Sequence, residues 1–338
     1  MIKKMTQYLL QRRYALSLLL MLMLLQPAMA QTQDRRMYAR LDRETQTLTL
    51  YYDKNEQASD KEIYDTPLWP NYVERKAIQT VVFDESFKDA RPKSCEAWFW
   101  HFEGLTRIEH LDYLNTSEVE VMQSMFSFCT SLETLDLSSF NTEKVKNMYA
   151  MFDGSTNLRS IKLPQGFIGS SVTNLFSMFK DCTSLTELDL SGSNSENVKD
   201  MSKMFYGCRA LSKLVLTDFK TGQVSTMESM FCNCSTLETL DVSSFNTENV
   251  TTMVGMFNNC SSLRSLALTG FNTANVTGMS SMFKNCSSLR SLDLSSFNTR
   301  KVTQMQCMFQ GLQPEDAHNR KALLIEENRG RYGKKKRE

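Results

Sequence analysis

The sequence predicts an α/β solenoid, a leucine-rich-repeat-type stack of about eight to nine coils with parallel strands, short helical turns and an N-terminal β cap. The L-x-x-L-x-L spacing of each copy, as at Leu237, Leu240 and Val242, is typical of a short strand that stacks on the same strand of the next coil. Val250 and Met253 then follow at a step of three, which favours a helical turn. The strongest observation is a Met-Phe pair that recurs every 26 residues with one step of 27, beginning at Met125, Met151, Met178, Met204, Met230, Met256, Met282 and Met308.

The residues of the helical turn have separate expected roles. Asn246 or Thr247 can cap the first amides of the turn, and a short extended piece around Val250 to Met253 is a further expectation. The Met and Phe columns are predicted to be core, because periodic Met at this spacing is typical of packing rather than of a metal or cofactor site. No cofactor is therefore expected.

Four segments are expected along the chain. Residues 1–30 have the features of a signal peptide, and their apolar run of about a dozen residues is shorter than the roughly 20 that span a bilayer. No transmembrane span is expected in the mature chain. Residues 31–97 are predicted to form the cap, 98–312 the solenoid and 313–338 a charged, disordered tail. The signal rests on basic residues before the apolar run and small residues after it: Lys3, Lys4, Arg12, Arg13 and Ala28-Met29-Ala30.

The cap is predicted from alternating apolar and polar residues. Residues 37–41 and 47–52 form a β-hairpin pattern around a polar turn, and residues 78–83 form a third strand. The stretch with Pro67 and Pro70 indicates a loop. Trp98 and Phe99 stand where later coils carry Met-Phe, so they are expected to pack in the first coil.

Charge and motif content argue against two classes of function. Lys plus Arg number 39 and Asp plus Glu 38, so no strong field favours nucleic acid, which is not an expected partner. The three histidines are His101, His110 and His318, and the chain has no nucleophile elbow, phosphate loop or H-E-x-x-H spacing. An enzyme is therefore not expected.

Cysteine recurs at one position of the repeat. Equivalent residues of neighbouring coils lie about 4.8 Å apart, but their Cβ vectors are parallel, which does not favour the roughly 3.8 Å Cβ separation of a disulfide. We expect a buried ladder of free thiols, with disulfides as the alternative. Zinc is disfavoured, because a column along an axis does not converge on a tetrahedron. The ladder consists of Cys129, Cys182, Cys208, Cys234, Cys260 and Cys286.

The residues between the strand leucines are expected to point away from the core. Acidic residues occupy alternate coils at one of these positions, which limits repulsion between like charges on adjacent strands. Three interpretations stay open: a solvated face, a broad polar surface for a protein or glycan partner, and a calcium-binding ladder. The candidate partner-binding residues are Asp136, Asp189, Asp241 and Asp293, with Thr134, Thr239, Ser265 and Ser291 beside them.

With L-x-x-L-D-L-S-S-F-N-T-x-x-V-x-x-M-x-x-M-F-x-x-C in view, the chain resembles the BspA-like leucine-rich-repeat surface proteins that are built on a bacterial repeat of 26 residues. The resemblance covers about residues 98 to 312. It implies an exported protein at the cell surface or in the medium, which binds an extracellular protein or glycan in adhesion or host interaction and has no catalytic activity. The alternative is a structural or self-assembling spacer that associates end to end.

Overall fold

The computed structural model describes residues 35–54, 63–65 and 71–312 of the 338-residue chain. The predicted signal peptide, residues 1–30, and the predicted tail, residues 313–338, lie outside the described residues. Within the described part, no helix has the length and apolar character needed to cross a membrane. The described residues form an N-terminal cap and a solenoid of stacked coils.

The cap is a five-stranded sheet in the order β3-β1-β2-β4-β5. β1 pairs with β2 and β3 in antiparallel fashion, whereas β2–β4 and β4–β5 are parallel pairs. The last strand belongs to the first coil, so cap and solenoid share one sheet. The elements are β1 (Arg36–Asp42), β2 (Thr47–Asp53), β3 (Ile63–Asp65), α1 (Tyr72–Ala77), β4 (Thr80–Phe83) and β5 (Arg107–Glu109).

The predicted hairpin and third strand are confirmed as β1, β2 and β4. Side chains alternate between the two faces of the sheet, so that Ala39 and Leu41 of β1 are buried against Leu48 and Leu50 of β2. Pro67 and Pro70, on which the loop prediction rested, lie outside the described residues, and β3 and α1 on either side of them were not predicted. Helix α1 begins after Asn71, whose side-chain oxygen accepts hydrogen bonds from the second and third residues of the helix. The helix buries none of its residues, so apolar periodicity gave no signal for it.

The solenoid is the predicted stack of parallel strands, one short strand per coil. β6 pairs with β7, β8 with β9 and β10 with β11, each in parallel and each offset by one repeat. Thr239 joins this row through a bridge to Ser265. The strands are β6 (Thr134–Asp136), β7 (Ser160–Lys162), β8 (Glu187–Asp189), β9 (Lys213–Val215), β10 (Ser265–Leu266) and β11 (Ser291–Leu292).

A second row of extended residues runs along the other side of each coil. Eight parallel bridges join successive coils, and Thr252 bridges both Thr226 and Gly278. The extended piece expected around Val250 to Met253 is thereby confirmed. The full row is Ser94, Val121, Asn147, Asn174, Asp200, Thr226, Thr252, Gly278 and Gln304.

The segment that carries the Met-Phe pair differs from the helical turns predicted for it. The N–H groups of Gly255, Phe257 and Asn259 donate to carbonyls of the next coil, while the residues between them close turns within their own coil. Gly255 and Asn259 have φ values of +64° and +60°, a left-handed backbone that cannot continue an α-helix. The segment is therefore a chain of turns, hydrogen-bonded to its neighbour at every second residue.

The core is a set of columns parallel to the solenoid axis. The leucines of the strands and the Val, Met, Phe and Cys residues of the turns are buried in one continuous cluster. The Phe rings stack on one another along the axis, with 5.5 Å between the centroids of Phe205 and Phe231. Trp98 and Phe99 are buried as predicted, whereas Trp100 is 36% exposed.

Candidate partner-binding surface

The outward-facing residues of the strand segments form one surface of the solenoid, here called the strand face. All eight predicted partner-binding residues lie on it and are exposed. Thr239, Ser265 and Ser291 stand in direct register on successive coils. Thr134 pairs instead with Ser160, so the structure brings together only part of the predicted set.

The aspartates of the strand face have a role in the backbone structure. Asp136 accepts a hydrogen bond at Oδ1 from the N–H of Ser138, at 2.9 Å, and the other three accept from the residue two positions on. This is an Asx turn, which ends each strand. The Ser138 hydrogen bonds and the Lys162 ammonium lower the pKa of Asp136 to about 2. The carboxylate is therefore ionised at neutral pH. The four aspartates are Asp136, Asp189, Asp241 and Asp293.

Opposite charges of neighbouring coils pair across the strand face. Lys162 Nζ lies 3.0 Å from Asp136 Oδ2, and Arg264 lies 3.1 Å from Glu238. The prediction treated alternation of acidic coils as a way to separate like charges, but here an adjacent coil supplies a cation. These pairs are exposed, so each contributes about 0.2–1 kcal/mol. Among the described residues, no group of three or more His, Cys, Asp or Glu side chains is arranged to hold a metal ion.

The strand face contains an open cleft between the first two coils, with a volume of about 470 Å³. It separates β5, the edge of the five-stranded sheet, from β6, which begins a separate two-stranded sheet. Two predicted residues, Thr134 and Asp136, line one side. The other side is lined by residues outside the predicted partner-binding set, chiefly Arg107, His110 and Asp112.

The first coil has one extra residue in the segment that lines the cleft. Asn115 follows Leu105 by ten positions, whereas Asn141 follows Leu132 by nine. The longer segment leaves β5 through His110, whose φ of +57° and ψ of +36° are left-handed, and continues as a 3-10 turn over residues 111–113. The spacing of 27 residues between Phe99 and Phe126 is the sequence signal of the extra residue.

The predicted cysteine ladder occupies a buried hydrogen-bonding position. Each thiol donates to a backbone carbonyl of the preceding coil, with sulfur–oxygen distances of 3.0–3.2 Å. Ser155, which replaces cysteine in one coil, donates to the Phe126 carbonyl at 2.6 Å. The position therefore selects a small donor. The free-thiol state stays a prediction.

Burial raises the pKa of the ladder thiols, to about 12 for Cys286. Because the thiolate is the reactive form, the ladder is poorly suited to nucleophilic or redox chemistry. Cys307 lies outside the ladder and is exposed. The ladder is thus best understood as packing, and the strand face with its cleft remains as the candidate site.

The chain aligns with solved structures of bacterial leucine-rich-repeat proteins. A leucine-rich repeat protein from Eubacterium ventriosum is 15% identical, with 82% of this chain and 93% of that chain covered and a TM-score of 0.27. One from Bacteroides ovatus is 14% identical over 82% and 91%, with a TM-score of 0.29. A leucine rich cell surface protein from Faecalibacterium prausnitzii is 16% identical over 78% and 95%, with a TM-score of 0.25.

The repeats themselves match a family model. No curated protein matches the chain. The family model described as "Mycoplasma protein of unknown function, DUF285" matches residues 98–165, 165–239 and 211–320. These matches together run from residue 98 to residue 320, which is 223 of the 338 residues. The chain therefore belongs to the DUF285 family.

Proposed function

We propose that this protein is a non-enzymatic, exported repeat protein of the BspA-like type, at the cell surface or secreted, which binds an extracellular protein or glycan through its strand face in adhesion or host interaction. The observation that carries the proposal is the contrast between the two sides of each strand. The inward positions repeat the same apolar residues, as stacking requires. The outward positions differ from coil to coil and are exposed or half-buried.

The outward variation is suited to recognition. At the position of Asp136, successive coils carry Lys162, Asp189, Val215 and Asp241, so the charge and size of the surface change along the axis. The backbone beneath is held in register by the parallel strand pairs. A rigid, extended surface with varied side chains binds a macromolecule at little cost in conformational entropy.

The test is binding of the purified protein to matrix proteins, mucins and glycans, with variants that keep the fold. Replacing the four aspartates of the strand face by Asn retains the acceptor of each Asx turn and removes four charges. The matched control removes four charges outside the strands by replacing Glu120, Glu143, Glu196 and Glu248 with Gln. We expect the first variant to weaken binding and the control to retain it. Equal binding by both would exclude the aspartates as the contact.

A spacer that assembles end to end is the second candidate, and one observation bears on it. In the last described coil, the N–H groups of Cys307, Phe309 and Gly311 have no partner among the described residues, because each would donate to a following coil. Two such ends placed face to face would oppose donors to donors in this segment, which disfavours symmetric pairing. The other end of the stack is covered by the five-stranded sheet. Light scattering that shows a mass independent of concentration would exclude assembly.

A further inference from the structure

The cleft between the first two coils lies on the strand face and is lined by both carboxylates and hydroxyls. Its volume of about 470 Å³ lies within the 300–1,000 Å³ typical of small-ligand sites. It can enclose a compact chemical group, whereas the rest of the strand face offers a broad exposed surface. The lining thus indicates which group would be enclosed.

The lining favours a ligand that carries several hydroxyl groups. Carboxylates of Asp112 and Asp136 accept hydrogen bonds, and the hydroxyls of Thr134, Ser138 and Ser139 both donate and accept. Apolar side chains contribute a smaller part, from Ile108, Leu111 and Leu135. A polar lining around a small apolar area matches a sugar ring, which has hydroxyls at its rim and C–H groups on its faces. It does not match an apolar molecule.

The charge of the lining limits the kind of sugar. Asp112 and Asp136 face the cleft with one cation, Arg107, whose Nε lies 2.8 Å from Glu109. An anionic group would approach the Asp112 carboxylate, the Asp136 carboxylate that is paired with Lys162, and a cation that already has a partner. Like charges repel, so a phosphate or a sialic acid carboxylate is disfavoured.

Contacts inside the protein hold the lining residues in place. Asp136 is oriented by hydrogen bonds from the N–H and side chain of Ser138 and from Lys162. The ring of His110 stacks on Tyr113, with 4.9 Å between centroids and 10° between planes. A site that is already ordered loses little entropy on binding.

We infer that this cleft binds a neutral hexose or N-acetylhexosamine unit of a glycan. This inference rests on the proposed function and narrows the partner of the protein to a carbohydrate. Asp112 and Asp136 would accept from the sugar hydroxyls, and the serine and threonine hydroxyls would supply donors. A single cleft gives weak binding, so many sugar units on one mucin or cell surface would be bound by avidity.

The first experiment is a multivalent neutral-glycan array probed with the full-length protein and two filling variants. Ser139→Phe places a ring in the cleft, and Ser244→Phe places the same ring at the equivalent position of a coil that the cleft does not reach. We expect Ser139→Phe to lose glycan binding by about tenfold or more while Ser244→Phe stays within about twofold of the parent. Equal loss in both, or none in Ser139→Phe, would overturn the inference.

A second variant covers the case in which Ser139→Phe does not fold. Asp112→Asn changes one exposed carboxylate of the lining, with Glu143→Asn as the control outside the cleft. Retention of full glycan binding by Asp112→Asn, measured with thermal unfolding as the folding check, would also count against a carboxylate-lined sugar site.

Periodate oxidation separates this inference from the proposed function. Because periodate spares internal N-acetylhexosamine units, which have no vicinal diol, the glycans are also removed from a second sample. If a mucin or matrix protein binds equally well after its glycans are removed, the partner is a protein, and the carbohydrate inference is wrong while macromolecular binding stands. Binding that requires the terminal sialic acid would also overturn it. If neither glycans nor proteins bind, both proposals fail.

Discussion

Cys208 donates its thiol hydrogen bond to the backbone carbonyl of Phe179 in the preceding coil, across 3.0 Å. The same carbonyl accepts the N–H of Cys182 within its own coil, at 3.2 Å. One oxygen therefore closes a turn and links two coils. Repetition of this arrangement along the axis explains why a cysteine or a serine occupies the position in seven coils, and it predicts how substitutions behave.

Cys208→Ala is expected to destabilise the protein more than Cys208→Ser. Alanine removes the donor, and a net hydrogen bond contributes about 0.5–1.5 kcal/mol, whereas serine keeps it. Ser155→Ala is the matched variant, because it removes a natural serine donor to the Phe126 carbonyl. Urea unfolding would measure the three free energies of unfolding. A serine variant less stable than the alanine variant would show that polarity outweighs the hydrogen bond.

Alkylation of the native protein is expected to begin at Cys307. This thiol is exposed, whereas burial raises the pKa of the ladder thiols and keeps them protonated. Iodoacetamide labelling followed by mass spectrometry would order the sites by rate. Denatured, unreduced protein should then show all six ladder thiols free. A count below six would mean that disulfides form in the ladder.

The stack and the outward aspartates were predictable because both follow from a 26-residue period. The conformation of the Met-Phe segment was not, since the steps between Met253, Met256 and Phe257 suit a helix equally well. The deciding feature is the left-handed backbone at Gly255 and Asn259. In other coils, Lys203 or Ser229 occupies the position of Gly255, so residue type alone did not indicate the left-handed backbone.

The cleft was missed for a different reason. The 27-residue step between Phe99 and Phe126 indicates an extra residue, but periodicity does not predict how the backbone accommodates it. The structure places it at the end of β5, where it separates this strand from β6 and brings His110 and Asp112 opposite Asp136. Such a juxtaposition depends on the backbone path rather than on any local pattern.

Asp136→Asn is expected to remove a pH-dependent part of the stability. The folded pKa of about 2 lies below the ordinary value of 3.8, so the ionised carboxylate stabilises the fold above about pH 4, and this contribution is lost as pH falls through about 2. Screening at this exposed site limits it to less than about 1 kcal/mol. Urea unfolding of the variant and the parent at pH 7 and pH 2 would show the difference shrink in acid.

Asp241→Asn is the matched control for that comparison. Asp241 forms the same turn with the N–H of Ser243, and the causes of its lowered pKa include no cation. We expect Asp241→Asn to lower the free energy of unfolding at pH 7 by less than Asp136→Asn does. Addition of salt should reduce the difference between the two variants. Identical losses would mean that the Lys162 pair contributes nothing measurable.

Ala150→Gly is expected to stabilise the protein, although the same change destabilises most buried sites. Ala150 has a φ of +50°, and a left-handed backbone costs a residue with a Cβ roughly 1–2 kcal/mol, which glycine avoids. Loss of a buried methyl offsets about 0.8 kcal/mol of this, which leaves a net gain of up to about 1 kcal/mol. Ala90→Gly is the control, because Ala90 is also buried but has a φ of −66° and should lose stability. Thermal and urea unfolding would measure both. A loss of stability in Ala150→Gly as large as that in Ala90→Gly would show that the left-handed turns of the coils carry no strain.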